Sequence, residues 1–250
     1  MPTARRRGAP ESRGVPSRSG ATEVTMIALV CLAAGCDGGA PALPPIQCDA
    51  PTEQSGEATF YDFADGSGNC GFPPSPGDLM VAAINTPQYG GSAACGSCAH
   101  VVGPRGEVTV RIVDRCPECP SGDLDLSPQA FERIAELSAG RVPITWTEVP
   151  CPVTGPLVYH FKDGSNPWWT AIQIRNHRNR IASVEVREGE SYRPLPRVDY
   201  NYFLDESGLG DGPYALRVTD VFGSSIEDEG VPSLDDADHP SHAQLPECAE

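Results

Sequence analysis

Apolar and polar residues alternate over much of the first half of the chain, from Gly56 onward. This alternation and several short apolar runs predict strands at 58–61, 80–84, 99–102, 108–113 and 144–149. One short helix is predicted after Ser127, which is a good N-cap residue and is followed by Pro128 at the first helical position. We expect that helix to end at Gly140. Many strands and one helix indicate a mainly β first domain, which we bound at 56–152.

Strand 108–113 leads into the loop with the most specific chemistry. Val108, Val110 and Ile112 alternate with polar residues, and Asp114 has the same parity as these apolar positions. We therefore expect Asp114 to face inward, where desolvation favours the neutral, proton-donating form of a carboxyl group. The alternative is that Asp114 only closes the loop by accepting backbone N–H bonds.

The pattern changes after the segment 151–156. Short strands are predicted at 157–161, 168–174, 181–186, 198–203 and 214–221, separated by turn signals such as Asp163-Gly164 and the run 210–213. This spacing is typical of a β-sandwich, which we bound at 153–235. The acidic residues 236–250 are predicted to form a flexible tail, apart from Cys248.

The N-terminus has the pattern of an export signal over 1–36. Arginines precede a short apolar run, 26–34, which is too short to span a bilayer as a stable helix. The run ends in Leu32-Ala-Ala-Gly-Cys36, which resembles a bacterial lipobox and makes Cys36 a lipidation candidate. Its Leu is one place early, so ordinary cleavage is the alternative, and a start at Met26 would explain the long basic segment. Residues 37–55 are small and polar, which predicts a disordered linker.

Charge and cysteine content limit the class of partner and the compartment. The net charge is −16, with 18 Lys and Arg against 34 Asp and Glu, which argues against nucleic acid or an anionic membrane as the partner. The 10 cysteines indicate an oxidising compartment. Two Cys-x-x-Cys pairs, at 95–98 and 116–119, have the outward form of a zinc site, but export favours disulfides. We predict no metal and no cofactor, and interpret His100, His160 and His177 as structural or exposed.

Five motifs occur in a specific order along the chain. They are the segments 56–61, 113–119, 124–131, 161–177 and 198–203, which read GEATFY, VDRCPEC, LDLSPQAF, FKDGSNPWWTAIQIRNH and VDYNYF. In this order they resemble the bacterial expansins and expansin-like proteins. The resemblance implies an all-β fold: a six-stranded double-psi β-barrel with a short helix, related to family-45 glycoside hydrolases, followed by an immunoglobulin-like β-sandwich that binds cellulose through a flat aromatic row.

The resemblance also assigns residues in the barrel groove. It places Thr59 and Asp125 on the polysaccharide-contacting pair, with Asp125 on the position of the hydrolases' general acid, and Asp114 on a further groove acid. The family has a tyrosine two places after that acid, where this chain has Cys116. Phe60 or Tyr61 would partly replace the missing aromatic, and we count Tyr61 among the groove residues.

In the second domain the resemblance implies an aromatic platform of Trp168, Trp169 and Tyr200, with Lys162 beside it. Neighbouring residues of a regular strand point to opposite faces, so the two tryptophans can share a surface only in a loop or bulge. Asn166-Pro167 predicts such an irregular entry. The alternative is that one tryptophan lies in the core.

The disulfide pairing also follows from the resemblance. Plant members of the family imply Cys70 with Cys95 and Cys98 with Cys151. Cys116 with Cys119 and Cys48 with Cys248 are the pairs that remain.

Inverting hydrolysis of a β-glucan needs two carboxyl groups, and expansins lack the second acid of the related hydrolases. Asp62 and Asp65 follow Tyr61, but we interpret both as turn residues. We therefore expect a protein that binds cellulose or a related cell-wall β-glucan and loosens contacts between polymers without hydrolysis. We expect it to be a secreted or extracellular monomer that contacts a membrane only if it is lipid-anchored. The alternatives are a family-45-like endoglucanase or lytic glycan enzyme using Asp125, and a carbohydrate-binding adhesion protein. Cellulose, xyloglucan and peptidoglycan remain open as the polymer.

Overall fold

The computed structural model describes residues 46–47, 52–62 and 64–249. The predicted export signal with Cys36 lies outside these residues, as does most of the predicted linker. The strands are β1 (Ile46–Gln47), β2 (Gln54–Phe60), β3 (Val81–Asn85), β4 (Cys98–Gly103), β5 (Gly106–Cys116), β6 (Leu124–Leu126), β7 (Val142–Val149), β8 (Val158–Phe161), β9 (Thr170–Arg175), β10 (Ile181–Glu188), β11 (Ser191–Pro194), β12 (Phe203–Asp205), β13 (Tyr214–Asp220), β14 (Ser225–Val231), β15 (Ala237–Pro240) and β16 (Cys248–Ala249). The α-helices are α1 (Thr86–Tyr89) and α2 (Pro128–Ile134), and a 3-10 helix spans Leu137–Ala139.

Strands β2 to β7 close into a barrel with the order β2-β6-β3-β5-β4-β7. The pairs β2–β6 and β3–β5 run parallel, whereas the remaining neighbours are antiparallel. Apolar residues of each strand fill the interior, and Val110, Ile112, Leu124 and Leu126 are at most 1% exposed. This confirms the predicted double-psi β-barrel.

Helix α2 starts as predicted and ends early. Ser127 caps it by accepting the N–H of Ala130 at 3.1 Å, but the helix stops at Ile134 because Ala135 is extended. The carbonyl of Ile134 accepts instead the N–H of Arg105, in the β4–β5 turn, at 2.9 Å. The helix is therefore shortened by docking on the barrel.

Residues after 156 form a β-sandwich of two four-stranded sheets, β11-β10-β13-β14 and β12-β9-β8-β15. Its core includes Tyr159, Phe161, Ile172 and Val218, all fully buried. This confirms the predicted architecture. The strand predicted at 198–203 is wrong, because Asn201 has a φ of 65° and only Phe203–Asp205 pair with β9.

The predicted flexible tail at 236–250 is also wrong for the residues that the structure describes. Strand β15 pairs with β8 at the edge of a sheet, and Leu245 is fully buried in the sandwich core. The carboxylate of Asp228 accepts bonds from Ser241 Oγ at 2.6 Å and from the backbone N–H of His242 at 3.0 Å. The sandwich therefore extends past the boundary predicted at 235.

The predicted linker 37–55 is too long at its C-terminal end. Strand β2 already begins at Gln54, and β1 pairs with β16 in a small parallel sheet. Strand β1 and the first two residues of β2 lie in the range that composition alone assigned to disorder.

Three of the predicted disulfides are present, Cys70–Cys95, Cys98–Cys151 and Cys116–Cys119. The fourth prediction involves Cys48, which lies outside the described residues. Within the described ranges, no group of three or more His, Cys, Asp or Glu side chains could hold a metal ion, and no helix is long and apolar enough to cross a membrane.

Barrel and sandwich belong to one compact unit. The carbonyl of Cys70, in the barrel, accepts bonds from the side-chain amides of two sandwich residues, Gln173 at 2.9 Å and Asn201 at 3.2 Å. In the other direction, the hydroxyl of Tyr89 donates to the carbonyl of Asp199 at 2.6 Å. These buried polar bonds fix the two domains against each other next to the predicted groove residues.

Candidate functional site

Four side chains form a row across adjacent strands of the barrel. The register pairs Thr59 of β2 with Asp125 of β6, Asp125 with Ala83 of β3, and Ala83 with Asp114 of β5. Residues paired across a sheet share a face, and neighbouring strands are roughly 4.8 Å apart. The Cα atoms of Asp114 and Asp125 are therefore roughly 9.5 Å apart, two strand spacings. The structure thus brings three predicted groove residues together.

A β-bulge in β5 puts Asp114 on this face. Ala82 pairs with Ile112 and Ala83 pairs with Asp114, so Val113 is an extra residue. Ile112 and Val113 both belong to the barrel core, and Asp114 does not. The prediction that Asp114 faces inward with Ile112 is therefore wrong, because a bulge interrupts the alternation on which it was based.

Thr59 and Asp125 form the polar pair of the row. The Thr59 hydroxyl donates to Asp125 Oδ1 at 2.5 Å. Burial raises the pKa of the Asp125 carboxyl; the bond from Thr59 opposes this rise, and the negative charges of Glu118 and Asp114 add to it. Asp125 is therefore protonated at higher pH than a fully exposed aspartate.

Asp114 holds a loop. Its Oδ1 accepts the backbone N–H groups of Asn69 at 2.7 Å and Arg115 at 2.8 Å. A Cβ on Gly68 would lie 2.5 Å from Asp114 Cβ, so the loop packs directly on this side chain. The side-chain amide of Asn69 donates to the carbonyl of Asp199 at 3.0 Å. Asp114 therefore performs the loop-closing role considered as the alternative, and it connects the row to the sandwich.

Tyr61 lies among the acids of the row. Its pKa is raised by burial and then by the charges of Asp114, Asp125 and Asp65. Its hydroxyl oxygen is buried and has no hydrogen-bond partner among the described residues. Tyr61 therefore lies near both acids of the row, and its replacement of the family's missing tyrosine stays a prediction.

The other two acids near Tyr61 are exposed. Asp65 accepts the backbone N–H of Ser67 at 2.9 Å and the Ser67 hydroxyl at 2.5 Å, and these bonds lower its pKa. This confirms the interpretation of Asp65 as a turn residue. Asp62 lies in the turn that follows β2.

The two tryptophans of the sandwich lie at a tight turn before β9. The backbone N–H of Asn166 donates to the carbonyl of Trp169 at 2.8 Å, and the N–H of Trp169 donates to the carbonyl of Asn166 at 3.2 Å. The predicted irregular entry is confirmed. Trp168 is 77% exposed, and Trp169 is partly buried.

Tyr200 is also exposed, at 40%, and its ring centroid lies 5.8 Å from that of the buried Tyr202. Tyr202 in turn packs edge-on against His160, whose Nδ1 is bonded to Asp238 at 2.7 Å. Tyr200 follows Asp199, the residue that contacts the barrel loop. Lys162 is partly buried at the end of β8, where its N–H donates to the carbonyl of Ala171 at 3.0 Å.

Sequence reasoning missed Glu118, Tyr202 and Ala83. Glu118 lies between Cys116 and Cys119, in a loop closed by their disulfide, and its charge acts on Asp125. The available signal was its place between two cysteines directly after the groove strand. Ala83 separates the two acids of the row and leaves that face without a large side chain. A cavity of about 780 Å³ lies between Pro87, Trp146 and Phe222, and none of the row residues lines it. In the row itself, Thr59, Asp114 and Asp125 are partly exposed and Ala83 is buried.

Comparisons with known proteins agree with this arrangement. Residues 81–146, which include both acids of the row, match a family model described as lytic transglycolase. Expansin-YoaJ of Bacillus subtilis is 36% identical over 202 residues, covering 77% of this chain and 86% of that protein. The crystal structure of the apo Clavibacter michiganensis expansin is 36% identical with a TM-score of 0.73, and a point mutant of that expansin in complex with cellohexaose is 35% identical with the same TM-score. Each covers 77% of this chain and 98% of the other chain. With its barrel, its sandwich and this degree of identity, the chain belongs to the expansin family.

Proposed function

We propose that this protein loosens cell walls without hydrolysis, by binding cellulose or a related β-glucan and competing for hydrogen bonds between polymers. The observation that carries the proposal is the partly exposed, hydrogen-bonded pair Thr59–Asp125 on the barrel. A carboxyl group in its neutral form both donates and accepts hydrogen bonds, as the hydroxyl groups of a glucan do. Burial raises the pKa of Asp125, so its carboxyl group is neutral over a wider pH range than that of an exposed aspartate. The pair therefore offers a glucan the same bonds that neighbouring glucan chains offer each other.

The row also bears on hydrolysis. An inverting enzyme needs a second carboxylate that activates water, held roughly 6.5–9.5 Å from the acid. Asp114 lies two strands from Asp125, but its Oδ1 is engaged by two backbone N–H groups that hold the loop. Asp65 is bonded within its own turn. Because both carboxylates are engaged in hydrogen bonds to their own loops, the arrangement favours binding of the polymer over its hydrolysis.

Binding to the polymer surface is assigned to the sandwich. The C–H faces of sugar rings pack on flat aromatic rings. Trp168 and Tyr200 are exposed, and Trp169, next to Trp168 in the chain, is partly exposed. This exposure supports the assignment of these three residues as a platform with Lys162 beside it. The Clavibacter expansin complex contains cellohexaose, a ligand of the chemistry proposed here.

The central test combines mechanics with product analysis. Purified protein should weaken cellulose paper or plant wall strips without sustained release of reducing ends, and Asp125→Asn should lower the weakening. Asp211→Asn, an exposed acid of the sandwich, is the matched control. Sustained release of reducing ends that Asp125→Asn abolishes would refute the non-hydrolytic function.

Two other functions are decided by the same samples. A lytic glycan enzyme is favoured by the family model over 81–146, and it would release soluble glycan fragments from cellulose or peptidoglycan. An adhesion protein would bind the polymer and fail to weaken it. For the platform, a folded triple variant Trp168→Ala, Trp169→Ala, Tyr200→Ala should lose cellulose binding, and full binding would refute the assignment.

We further propose that the protein acts outside the cell as a monomer, with Cys36 as the site of a lipid anchor if the lipobox is used. Mass spectrometry of the mature N-terminus distinguishes a lipidated Cys36 from ordinary cleavage. Sedimentation analysis of the purified protein tests the monomer.

A further inference from the structure

We propose that the segment 205–210 positions Trp168 for polymer binding, with Gly208 as the positioning residue. This inference rests on the proposed platform function of Trp168. The segment 205–210 carries no aromatic residue, and its backbone packs on the backbone of the turn that carries Trp168.

The orientation of Trp168 depends on the turn that carries it. Trp168 is 77% exposed, and its ring contacts no other aromatic ring in the described part of the chain. Its backbone N–H donates to Asn166 Oδ1 at 2.9 Å, inside a turn closed by Asn166 and Trp169. The backbone of the turn therefore fixes the Cα position and the Cα–Cβ direction from which the indole projects.

The segment 205–210 packs against this turn with no space to spare. Gly208 has a φ of +74°, and a Cβ built on it would lie 2.2 Å from the carbonyl oxygen of Pro167 and 2.5 Å from the carbonyl carbon of Trp168. The next residues add two hydrogen bonds. Gly210 donates its N–H to the Pro167 carbonyl at 3.0 Å, and Leu209 donates its N–H to Thr170 Oγ1 at 3.3 Å.

The segment is itself held at its start. Asp205 ends β12, its Oδ1 accepts the N–H of Ser207 at 2.8 Å, and its carbonyl accepts the N–H of Gly208 at 3.2 Å. Its Oδ2 accepts a bond from Arg193 of β11 at 2.6 Å. A rigid support therefore runs from the edge of the sandwich to the peptide between Pro167 and Trp168.

This geometry predicts the effect of adding one methyl group. The atoms that a Cβ on Gly208 would meet are backbone atoms, which cannot rotate away as the end of a side chain can. Gly208→Ala must therefore displace the turn or the segment. An aromatic ring contributes fully only when it lies flat on the sugar face, so the displacement should weaken binding. Gly208 lies outside the sandwich core, although Leu209 packs against it, and melting temperatures therefore serve as the check of folding.

The experiment measures binding isotherms of the purified protein on microcrystalline cellulose, with melting temperatures as a check of folding. Gly208→Ala and Trp168→Ala should each weaken binding about tenfold, and the double variant should bind no more weakly than Trp168→Ala alone. The matched control is Gly189→Ala, at a residue of the same domain with a φ of +64° and nothing within 4 Å of the added Cβ. It should change binding less than about twofold.

A second variant covers the case in which Gly208→Ala does not fold. Asp205→Asn weakens the bond from Arg193 and should lower binding by about threefold, again only when Trp168 is present. Glu188→Gln removes the other ion pair of Arg193, at 2.6 Å, and should leave binding unchanged.

The outcomes separate the two proposals. If Trp168→Ala binds normally, the platform function is refuted. If Trp168→Ala weakens binding while Gly208→Ala matches Gly189→Ala and Asp205→Asn matches Glu188→Gln, the platform stands and the positioning role is overturned. A further loss from Gly208→Ala in the Trp168→Ala background would also overturn it.

Discussion

Replacing Leu245 by alanine tests whether the C-terminal residues belong to the sandwich. Leu245 is fully buried in the sandwich core, although it lies in a segment whose composition predicts a mobile tail. Truncation of a buried leucine to alanine costs about 2–5 kcal/mol, from lost transfer free energy and the cavity left behind. A leucine in a mobile tail would cost less than about 0.5 kcal/mol.

We expect the variant to lose about 3 kcal/mol rather than the maximum. The backbone of this segment keeps its own anchors after the substitution: Arg178 donates to the carbonyl of Leu245 at 3.0 Å, and Asn179 donates to the carbonyl of Pro246 at 3.0 Å. For a body of this size, each kcal/mol shifts the melting temperature by about 2–4 °C. The expected decrease in melting temperature is therefore about 6–12 °C.

Calorimetry and denaturant titration of the oxidised protein measure both quantities. The control is Glu247→Ala, two residues away, whose exposed side chain pairs with Arg178 at 3.2 Å; an exposed pair contributes at most about 1 kcal/mol. If Leu245→Ala is as stable as the wild type, or no less stable than Glu247→Ala, the placement of the segment in the core is wrong.

Three further predictions concern charge and cross-links. Burial alone would raise the pKa of Asp228, but bonds from Ser241, His242 and Tyr159 lower it overall. The carboxylate therefore stabilises the fold above its unfolded-state pKa, and this stability is lost as the pH falls through the lower folded pKa. Denaturation at several pH values should show that Asp228→Asn loses less stability on acidification than the wild type. Thr59→Val should raise the pKa of Asp125 further, because it removes the bond that opposes the effect of burial; carboxyl NMR titration measures this, and an unchanged pKa would contradict the pairing. The two disulfides close loops of different length, because their cysteines are separated by 3 and 53 residues. Replacing Cys116 and Cys119 with serine should therefore lower the free energy of unfolding by about 1.6 kcal/mol, and replacing Cys98 and Cys151 by about 4 kcal/mol. Equal decreases in denaturant titration would contradict the chain-entropy argument.

The sequence predicts the elements whose local signals and tertiary environment agree. Ser127 and Pro128 start α2 as expected, and the alternation at Val108, Val110 and Ile112 identifies β5 and its inner face. In both cases a short-range signal coincides with burial on one side. Where a long-range contact determines the structure, the prediction is wrong. The carbonyl at the end of α2 accepts the N–H of Arg105, so the helix ends early, and pairing with β8 orders β15 in the predicted tail.

The residues of the candidate site could be predicted from the sequence, but their positions relative to one another could not. The family motifs identify Thr59, Asp114 and Asp125, but strand parity places Asp114 on the wrong face because nothing local marks Val113 as an extra residue. The support that Gly208 gives to the Trp168 turn is also invisible in the sequence, since about forty residues separate the two segments and only backbone atoms meet. Contacts between backbones leave no pattern in side-chain chemistry.

The bulge at Val113 is the position in β5 where the loss of one residue would keep the strand register, although it would remove a buried side chain. Ala82 faces Ile112 and Ala83 faces Asp114, so deleting Val113 would join two correctly paired residues and leave Asp114 on its present side of the sheet. A deletion anywhere else in β5 would shift the pairing by one and exchange the two sides of the strand. When expansin sequences are aligned, a gap at this position is therefore compatible with an unchanged groove, whereas a gap at Val110 would imply that the acid has moved into the barrel.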